Sequence, residues 1–430
     1  MSAGRTSEQP KLRLAEAGAS TSAATAGIGD DELGCLIALA GLPGFGPATL
    51  LRVALEGDPV EVWSQVRAGR AHHVAVLAAA FAREPTKGHG VKSASLARAS
   101  ALAEPDEELD RHRADGREVR FLGGPGYPER LCDDPAPPAL LFVEGRQDAL
   151  DSPTVAMVGT RNATRAGREL ASDLAADLAR SGVAVVSGLA LGIDGAAHAG
   201  ALGIASGADR RVDRPAGQPV GVIASGLDIA YPRRHQQLHR DIVRHGLLVS
   251  ETPLGRRPTA WRFPARNRII AGLADAVVIV ESRSAGGSML TAAEGLLRDR
   301  PVLAVPGHPT APAAAGANDL IFDGAVPVRD VEDILVAIGR GGTSVVAAER
   351  DVAVEGPGST GPEGRSVLCA LGTEPLSLDE VVQRAGLTLD EAAATLVRLE
   401  VEGSVIRSGS WFERAGRPGG GGPCPGGRRR

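Results

Sequence analysis

The stretch VAMVGTRNATRAGRELASDLAADLARSGVAVVSG, residues 155–188, decides the fold. It opens on a short apolar, β-branched run (Val155–Gly159), passes through an amphipathic stretch (Ala166–Arg180) and closes on a second such run (Val183–Gly188). Neither apolar run alternates with polar residues, so each predicts a strand covered on both faces. The segment between them has the spacing of a helix with one apolar side. Strand, helix and strand in that order form the crossover unit of a parallel sheet. The pattern recurs at Val220–Gly226, Leu247–Glu251, Ala276–Ser282 and Val302–Gly307. Covered strands alternating with helices predict an α/β fold, a Rossmann-like doubly wound parallel sheet spanning about residues 119–335.

A sheet of this kind binds ligands beyond the carboxyl ends of its strands. The residues just past each strand are therefore the place to look. The first strand leads into Gly159-Thr160-Arg161-Asn162, the second into Ser187-Gly188-Leu189-Ala190-Leu191-Gly192. Ser225-Gly226-Leu227-Asp228 and then Tyr231-Pro232 come after the third, and Gly286-Gly287-Ser288 precedes a helix after the strand near Glu281. Glycine lets backbone approach a ligand closely, and helix N-termini offer unpaired N–H groups to anions. Four such loops on one edge, beside Arg161, predict a site for phosphate or nucleotide. The first loop, GTRNATRAG, lacks the spaced triple-glycine fingerprint, and no acidic residue closes the second strand, so a nicotinamide cofactor is not expected. Phe263-Pro264-Ala265-Arg266-Asn267-Arg268 is a second constellation, in which planar guanidiniums suit phosphate oxygens and an amide suits a base edge. The competing reading is an internal ion-pair network of these arginines with Glu251 or Glu281.

Net charge is −5, which alone argues against a polyanion partner. The distribution argues otherwise: residues 159–270 hold sixteen Arg and no Lys against nine Asp and Glu. A local basic patch outweighs the average. With only three Lys in the chain, part of that excess reflects Arg standing where other proteins use Lys. Aromatic residues are 3% of the chain, yet Tyr231, Trp261 and Phe263 all fall in these loops, and Tyr231 is the first choice for a stacking platform.

Catalysis has weaker candidates. Asp194 and His198, one helical turn apart, predict a structural pair beneath the Gly188–Gly192 loop. Glu281 and Glu294 flank the Gly286–Ser288 loop and are the carboxylates a phosphoribohydrolase-like N-glycosidase would use. Neither a nucleophile elbow nor metal-ligand spacing occurs, so no catalytic residue and no metal are assigned. The cysteines (Cys35, Cys132, Cys369, Cys424) are widely spaced and read as reduced thiols of a cytoplasmic protein. No apolar run reaches the roughly eighteen residues of a membrane span.

Residues 1–29 and 414–430 are compositionally biased tails without a packing pattern. Residues 30–118 read as a helical module and linker, interrupted by LPGFGP (Leu42–Pro47), which is either a phosphate-facing hairpin or, more simply, a helix-breaking turn. Residues 336–364 read as a linker and 365–413 as a winged helix. That last domain has only Arg384, Arg398 and Arg407 as basic groups, too few for a duplex-groove reader.

Taken in order, VAMVGTR (155–161), VSGLALGIDGAAHAGAL (186–202), GLDIAYP (226–232), LLVSETP (247–253), FPARNRIIAGLADAVVIVES (263–282), GGSMLTAAEGLLRDRPVLAVPG (286–307) and GANDLIFDGA (316–325) resemble the DNA-processing protein A (DprA/Smf) family. The resemblance implies a homodimer that binds single-stranded DNA without sequence preference, protects incoming DNA and loads RecA recombinase in natural transformation. It implies a DNA pocket lined by Gly159, Thr160, Arg161, Ser187, Gly188, Gly192, Tyr231, Arg266, Asn267, Arg268, Gly286, Gly287 and Ser288. The chain departs from the family at two usually basic positions, Leu191 and Gln218, which would remove charge from that pocket. An apparent insertion, residues 206–217, supplies Arg210, Arg211 and Arg214.

Overall fold

Nine strands form one sheet: β1 (Arg117–Phe121), β2 (Leu140–Gly145), β3 (Thr154–Val158), β4 (Ala184–Ser187), β5 (Pro219–Ile223), β6 (Leu247–Ser250), β7 (Ala276–Ile279), β8 (Val302–Ala304) and β9 (Val326–Pro327). Their order is β1-β2-β6-β5-β4-β3-β7-β8-β9. The computed structural model describes residues 28–82, 89–206, 216–341, 361–371, 376–408 and 411–414. The segment holding Arg210, Arg211 and Arg214 lies outside the described residues, as do most of the two tails.

From β3 the chain steps outward through β4, β5 and β6, then returns to lay β7 against the other side of β3. Pairing is parallel from β6 through β9. The reversal of direction between β3 and β7 is the switch point at which doubly wound sheets hold ligands. Alternate residues explain why neither face reads as polar. Val155 and Met157 pack with Ala171, Leu174 and Leu178 of one helix and Ile193 and Ala197 of the next. Ala156 and Val158 pack with Ile269, Ile270 and Leu273 on the opposite face.

The expected strands are present, but the sheet is mixed at one margin. β1 and β2 run antiparallel, with β2 inserted beside β6. The helices of residues 30–113 share a core with that margin: Leu36, Leu39 and Leu109 pack in one cluster with Leu140, Phe142 and Leu248. The LPGFGP turn contributes Leu42 and Phe45 to the same core, and Gly46 begins the helix Pro47–Glu56. Residues 1–343 form one of two compact units.

In the second unit, helices Pro362–Leu371, Leu378–Ala385 and Leu389–Val401 accompany a three-stranded sheet of Leu376–Ser377, Val405–Ser408 and Trp411–Arg414, the layout of a winged helix. Two of these helices start on reciprocal caps, Ser377 with Glu380 and Thr388 with Glu391. Val367, Val381, Leu396, Leu399 and Phe412 fill its core. Among the described residues no helix is long and apolar enough to cross a membrane.

His112 joins the helical layer to the loop after β6. Its Nδ1–H donates to the Glu108 carbonyl at 2.6 Å, and Nε2 accepts from the Leu254 N–H at 2.9 Å. The ring is buried 4.7 Å from that of Phe142. Burial pushes its pKa from 6.5 down to about 4, against the opposing pull of the Glu108 carbonyl. The unfolded chain therefore takes up a proton here before the folded one does. Stability from this group is complete above pH 6.5 and is lost as pH falls toward about 4, by roughly 3 kcal/mol. The urea midpoint should drop over that interval in the native chain and drop less in His112→Gln, which starts lower. A native midpoint that stays flat from pH 7 to 4.5 would contradict the assignment.

Candidate functional site

Arg266 projects from the buried face of the helix Arg262–Leu273, on the side that also carries Ile269 and Ile270. The residue is 7% exposed, and its guanidinium donates through Nη1 to the Val222 carbonyl at the end of β5 and lies against Gly188. A Cβ at position 188 would overlap the guanidinium, so the residue after β4 is glycine because an arginine crosses it. A guanidinium so deeply buried needs a compensating charge. Asp194, buried in the first turn of the helix Ile193–Ala205, supplies it. Burial lowers the pKa of Arg266 to about 10, and the attraction of Asp194 opposes that fall. Burial conversely raises Asp194, opposed by Arg266 and by backbone donors that include the Gly188 N–H at 3.2 Å. Asp194 thus holds the Gly188–Gly192 loop through the Gly188 N–H, and the expected pairing with His198 does not form. His198 is buried one turn on, with its pKa driven down to about 3 by burial.

The remaining loops interlock around the switch point. Gly192 sits at φ +81°, where a side chain would overlap the Thr160 carbonyl. Thr160 donates its N–H to the Glu281 carbonyl at 2.7 Å, bridging the ends of β3 and β7. The Glu281 carboxylate accepts from the Thr164 N–H at 2.9 Å and the Thr164 hydroxyl at 2.5 Å. Leu189 adopts φ +53°, unusual for a side chain with a Cβ, and its carbonyl accepts from His235 Nδ1 at 3.0 Å. Ser187 is buried, its hydroxyl donating to the Met157 carbonyl at 2.6 Å.

Above this floor lies a groove of about 430 Å³, walled by Arg161, Gly188, Leu191, Tyr231, Pro258 and Phe263. The exposed Arg161 guanidinium stands 4.9 Å from the Phe263 ring centroid. Tyr231, 47% exposed, places its ring 5.7 Å from that of Phe263. Trp261, 51% exposed, has the Arg262 guanidinium 5.2 Å from its ring. The structure therefore brings Arg161, Gly188 and Tyr231 together in one open groove, with cations resting on aromatic faces.

Other expected site residues make contacts within the surrounding loops. Arg268 is paired with Glu251 at 2.6 Å, both side chains 11% exposed, which is the internal ion pair weighed as the competing reading. Asn267 reaches the Gly287 carbonyl at 3.4 Å. Ser288 is buried, its hydroxyl donating to that of Ser282 at 2.8 Å, and Gly286 packs against the same Ser282. Gly159 is wedged between Ile193 and the Glu281 carbonyl, whereas Gly287 borders open space. Glu294 pairs with Arg298, which also binds Asp134 at 2.6 Å, so neither Glu281 nor Glu294 presents a free carboxylate.

One expectation is corrected. Gln218 precedes β5, so it lies at the amino end of that strand and cannot subtract charge from a pocket at the carboxyl end; it bonds Asp148 there at 3.3 Å. Leu191 does line the groove. Sequence reading passed over Pro258, in the loop after β6. Its only signal was position, beyond a strand's carboxyl end.

The chain is similar to known proteins in sequence and fold. The family profile described as DNA recombination-mediator protein A matches residues 118–339, and the one described as DprA winged helix domain matches residues 353–409. Protein Smf of Synechocystis sp. is 31% identical over 332 residues, covering 70% of this chain and 81% of the relative. The DNA processing protein DprA of Bacillus subtilis is 37% identical over 227 residues, 53% of this chain and 73% of the relative. The X-ray structure of DNA processing protein A from Streptococcus pneumoniae superposes with a TM-score of 0.55 at 28% identity, covering 72% of this chain and 98% of that one.

Removing the counter-charge exposes what the floor depends on. Asp194→Ala should destabilise the fold by about 3–5 kcal/mol, because Arg266 is left buried and uncompensated. Denaturant titration checks this, and a loss under about 1 kcal/mol would show that the pair is not needed.

Proposed function

The chain belongs to the DNA recombination-mediator protein A family, and from that premise we propose that the groove at the carboxyl edge holds a single strand of DNA. The observation that carries this reading is Arg161 standing over Phe263 with Tyr231 beside them. An exposed guanidinium addresses a phosphate, and an aromatic face addresses a base in the same strand. Bases inside a duplex are already stacked and paired, so aromatic platforms select unpaired strands. Every nucleobase has a π-face, and none of the groove contacts requires a particular base edge, which supports binding without sequence preference.

The glycine loops form the floor instead of cradling phosphates individually. Arg266 and Arg268 act on the strand indirectly, Arg266 by shaping Gly188 and Arg268 by fixing Glu251. With Glu281 held by Thr164 and Glu294 by Arg298, a binding role fits the geometry better than an N-glycosidase. Family membership supports placing the protein in DNA processing during transformation and recombination. We extend that reading to a cytoplasmic homodimer that protects incoming DNA and hands it to RecA recombinase; the support for these finer points is the sequence resemblance.

Anisotropy of a labelled oligo-dT strand, titrated at several salt concentrations, tests the groove. Arg161→Ala should weaken binding and lower the log–log salt slope by about 0.7, the share of one phosphate on a single strand. Tyr231→Ala should weaken binding by about 1–3 kcal/mol while leaving the slope alone. Native affinity in both variants would remove the groove from the binding site.

A further inference from the structure

We propose a second, basic track on the helix that follows Tyr231, which takes the phosphodiester backbone of the same strand as it leaves the groove; this rests on the single-strand reading above. After Pro232 the turn Arg233–His235 runs directly into the helix Gln236–His245. Arg233, Gln237, Arg240 and Arg244 are spaced i, i+4, i+7 and i+11, which sets them along one side. His239 and Ile242 form the buried side. Eleven residues at a helical rise make a row about 16 Å long.

These arginines are placed to meet a ligand. Arg233 and Arg234 are exposed and have no side-chain hydrogen bond or ion pair among the described residues. Arg240 is held by the neutral Gln237 amide oxygen at 2.7 Å, and Gln237 in turn donates to Asp241 at 2.8 Å. Arg244, its side chain 66% exposed, reaches the same Asp241 only at 3.6 Å. Residues 233–245 hold four Arg against one Asp, in a chain whose net charge is −5. A solvated helix face needs polarity, which Glu and Lys would supply equally; a row of one sign is a local field for an anion.

The row borders a cleft of about 800 Å³ lined by Arg117, Asp228, Gln236, His239, Arg240 and Arg244. This cleft and the groove are neighbours. Ser225 and Tyr231 line the groove, while Leu227, Asp228 and Ala230, from the loop between them, line the cleft. The two carboxylates of the cleft are already engaged, Asp228 by the Gly255 N–H at 2.9 Å and Glu144 by Arg117 at 3.2 Å. No aromatic side chain other than His239 lines it. The track offers charge without a stacking surface, so it reads the backbone and not the bases.

The test compares a three-nucleotide oligo-dT, too short to occupy both the groove and the row, with a twenty-nucleotide one, using the full chain. The native protein should bind the long strand at least tenfold more tightly and with a steeper salt slope. Arg240→Ala/Arg244→Ala should bind the short strand as the native chain does, lose about tenfold on the long one, and lower its slope by about 1.4, two phosphates at about 0.7 each. Arg52→Ala, which removes a charge paired with Glu56 within the helix Pro47–Glu56, should change neither. Unchanged long-strand affinity and slope in the double variant would overturn the track. If the native chain binds the short strand but gains nothing from length, the track fails and the groove stands. If it binds neither strand, the groove reading fails and the track with it.

Discussion

One buried charge pair, Arg266 with Asp194, organises the carboxyl edge of the sheet. A single guanidinium touches the end of β5 at Val222 and the turn after β4 at Gly188, and its charge is felt by Asp194 at the start of the next helix. Three loops that would otherwise move independently are referred to one rigid fork. Buried ion pairs contribute little net stability over an apolar replacement, but breaking one is costly. Its value here is geometric. It dictates that position 188 has no side chain, and it holds the loop that forms the floor of the groove. It also has an electrostatic consequence: Arg161 lies close enough to Arg266 to push its pKa further down. Asp194 compensates the inner guanidinium and nothing in the groove lining compensates the outer one. The groove is electropositive by construction.

The sheet was legible in the sequence because strands covered on both faces leave unbroken β-branched runs, and six of them alternate with helices. β1 was hidden by its own chemistry: three of its five residues, Arg117, Glu118 and Arg120, are charged, and it lies at the sheet's edge. β2 is apolar enough to be seen as a strand, but its antiparallel place beside β6 depends on long-range pairing that no local pattern records. The site loops were legible as loops. What each arginine does was not, although a signal existed. Arg266, Ile269, Ile270 and Leu273 follow the i, i+3, i+4, i+7 spacing of one buried helix face. An arginine inside such a stripe points into the protein. The misplacement of Gln218 had a similar origin, since residues before and after a parallel strand lie on opposite edges.

The helical layer illustrates the same limit. Its LPGFGP turn could have faced phosphate, yet Phe45 is buried and the turn serves as a helix break that also packs near the sheet. The turn still lies at the right edge: Phe45, Gly46 and Pro47 share a cavity of about 470 Å³ with Trp261, Arg262 and Arg266. His112 ties that layer to Leu254, and Asp228 ties Gly255 to the loop after β5. The loop that supplies Pro258 to the groove is thereby pinned from both directions. A helical layer that sequence alone reads as a separate module is, in packing terms, part of the wall.

The arginines therefore divide by burial, and the division gives one edge of an acidic chain a positive field. Those inside, Arg266, Arg268 and Arg298, are matched to Asp194, Glu251 and Asp134 and contribute shape. Those outside near the groove, Arg161, Arg233, Arg234 and Arg240, have aromatic or neutral neighbours, or none among the described residues. Net charge averages the two classes with acidic pairs spread over the rest of the surface, and so conceals the field at one edge. Counter-ions released from a bound strand depend on the exposed class alone. Mutating an inner arginine and mutating an outer one should consequently fail in different ways: the first through the fold, the second through the salt dependence of binding.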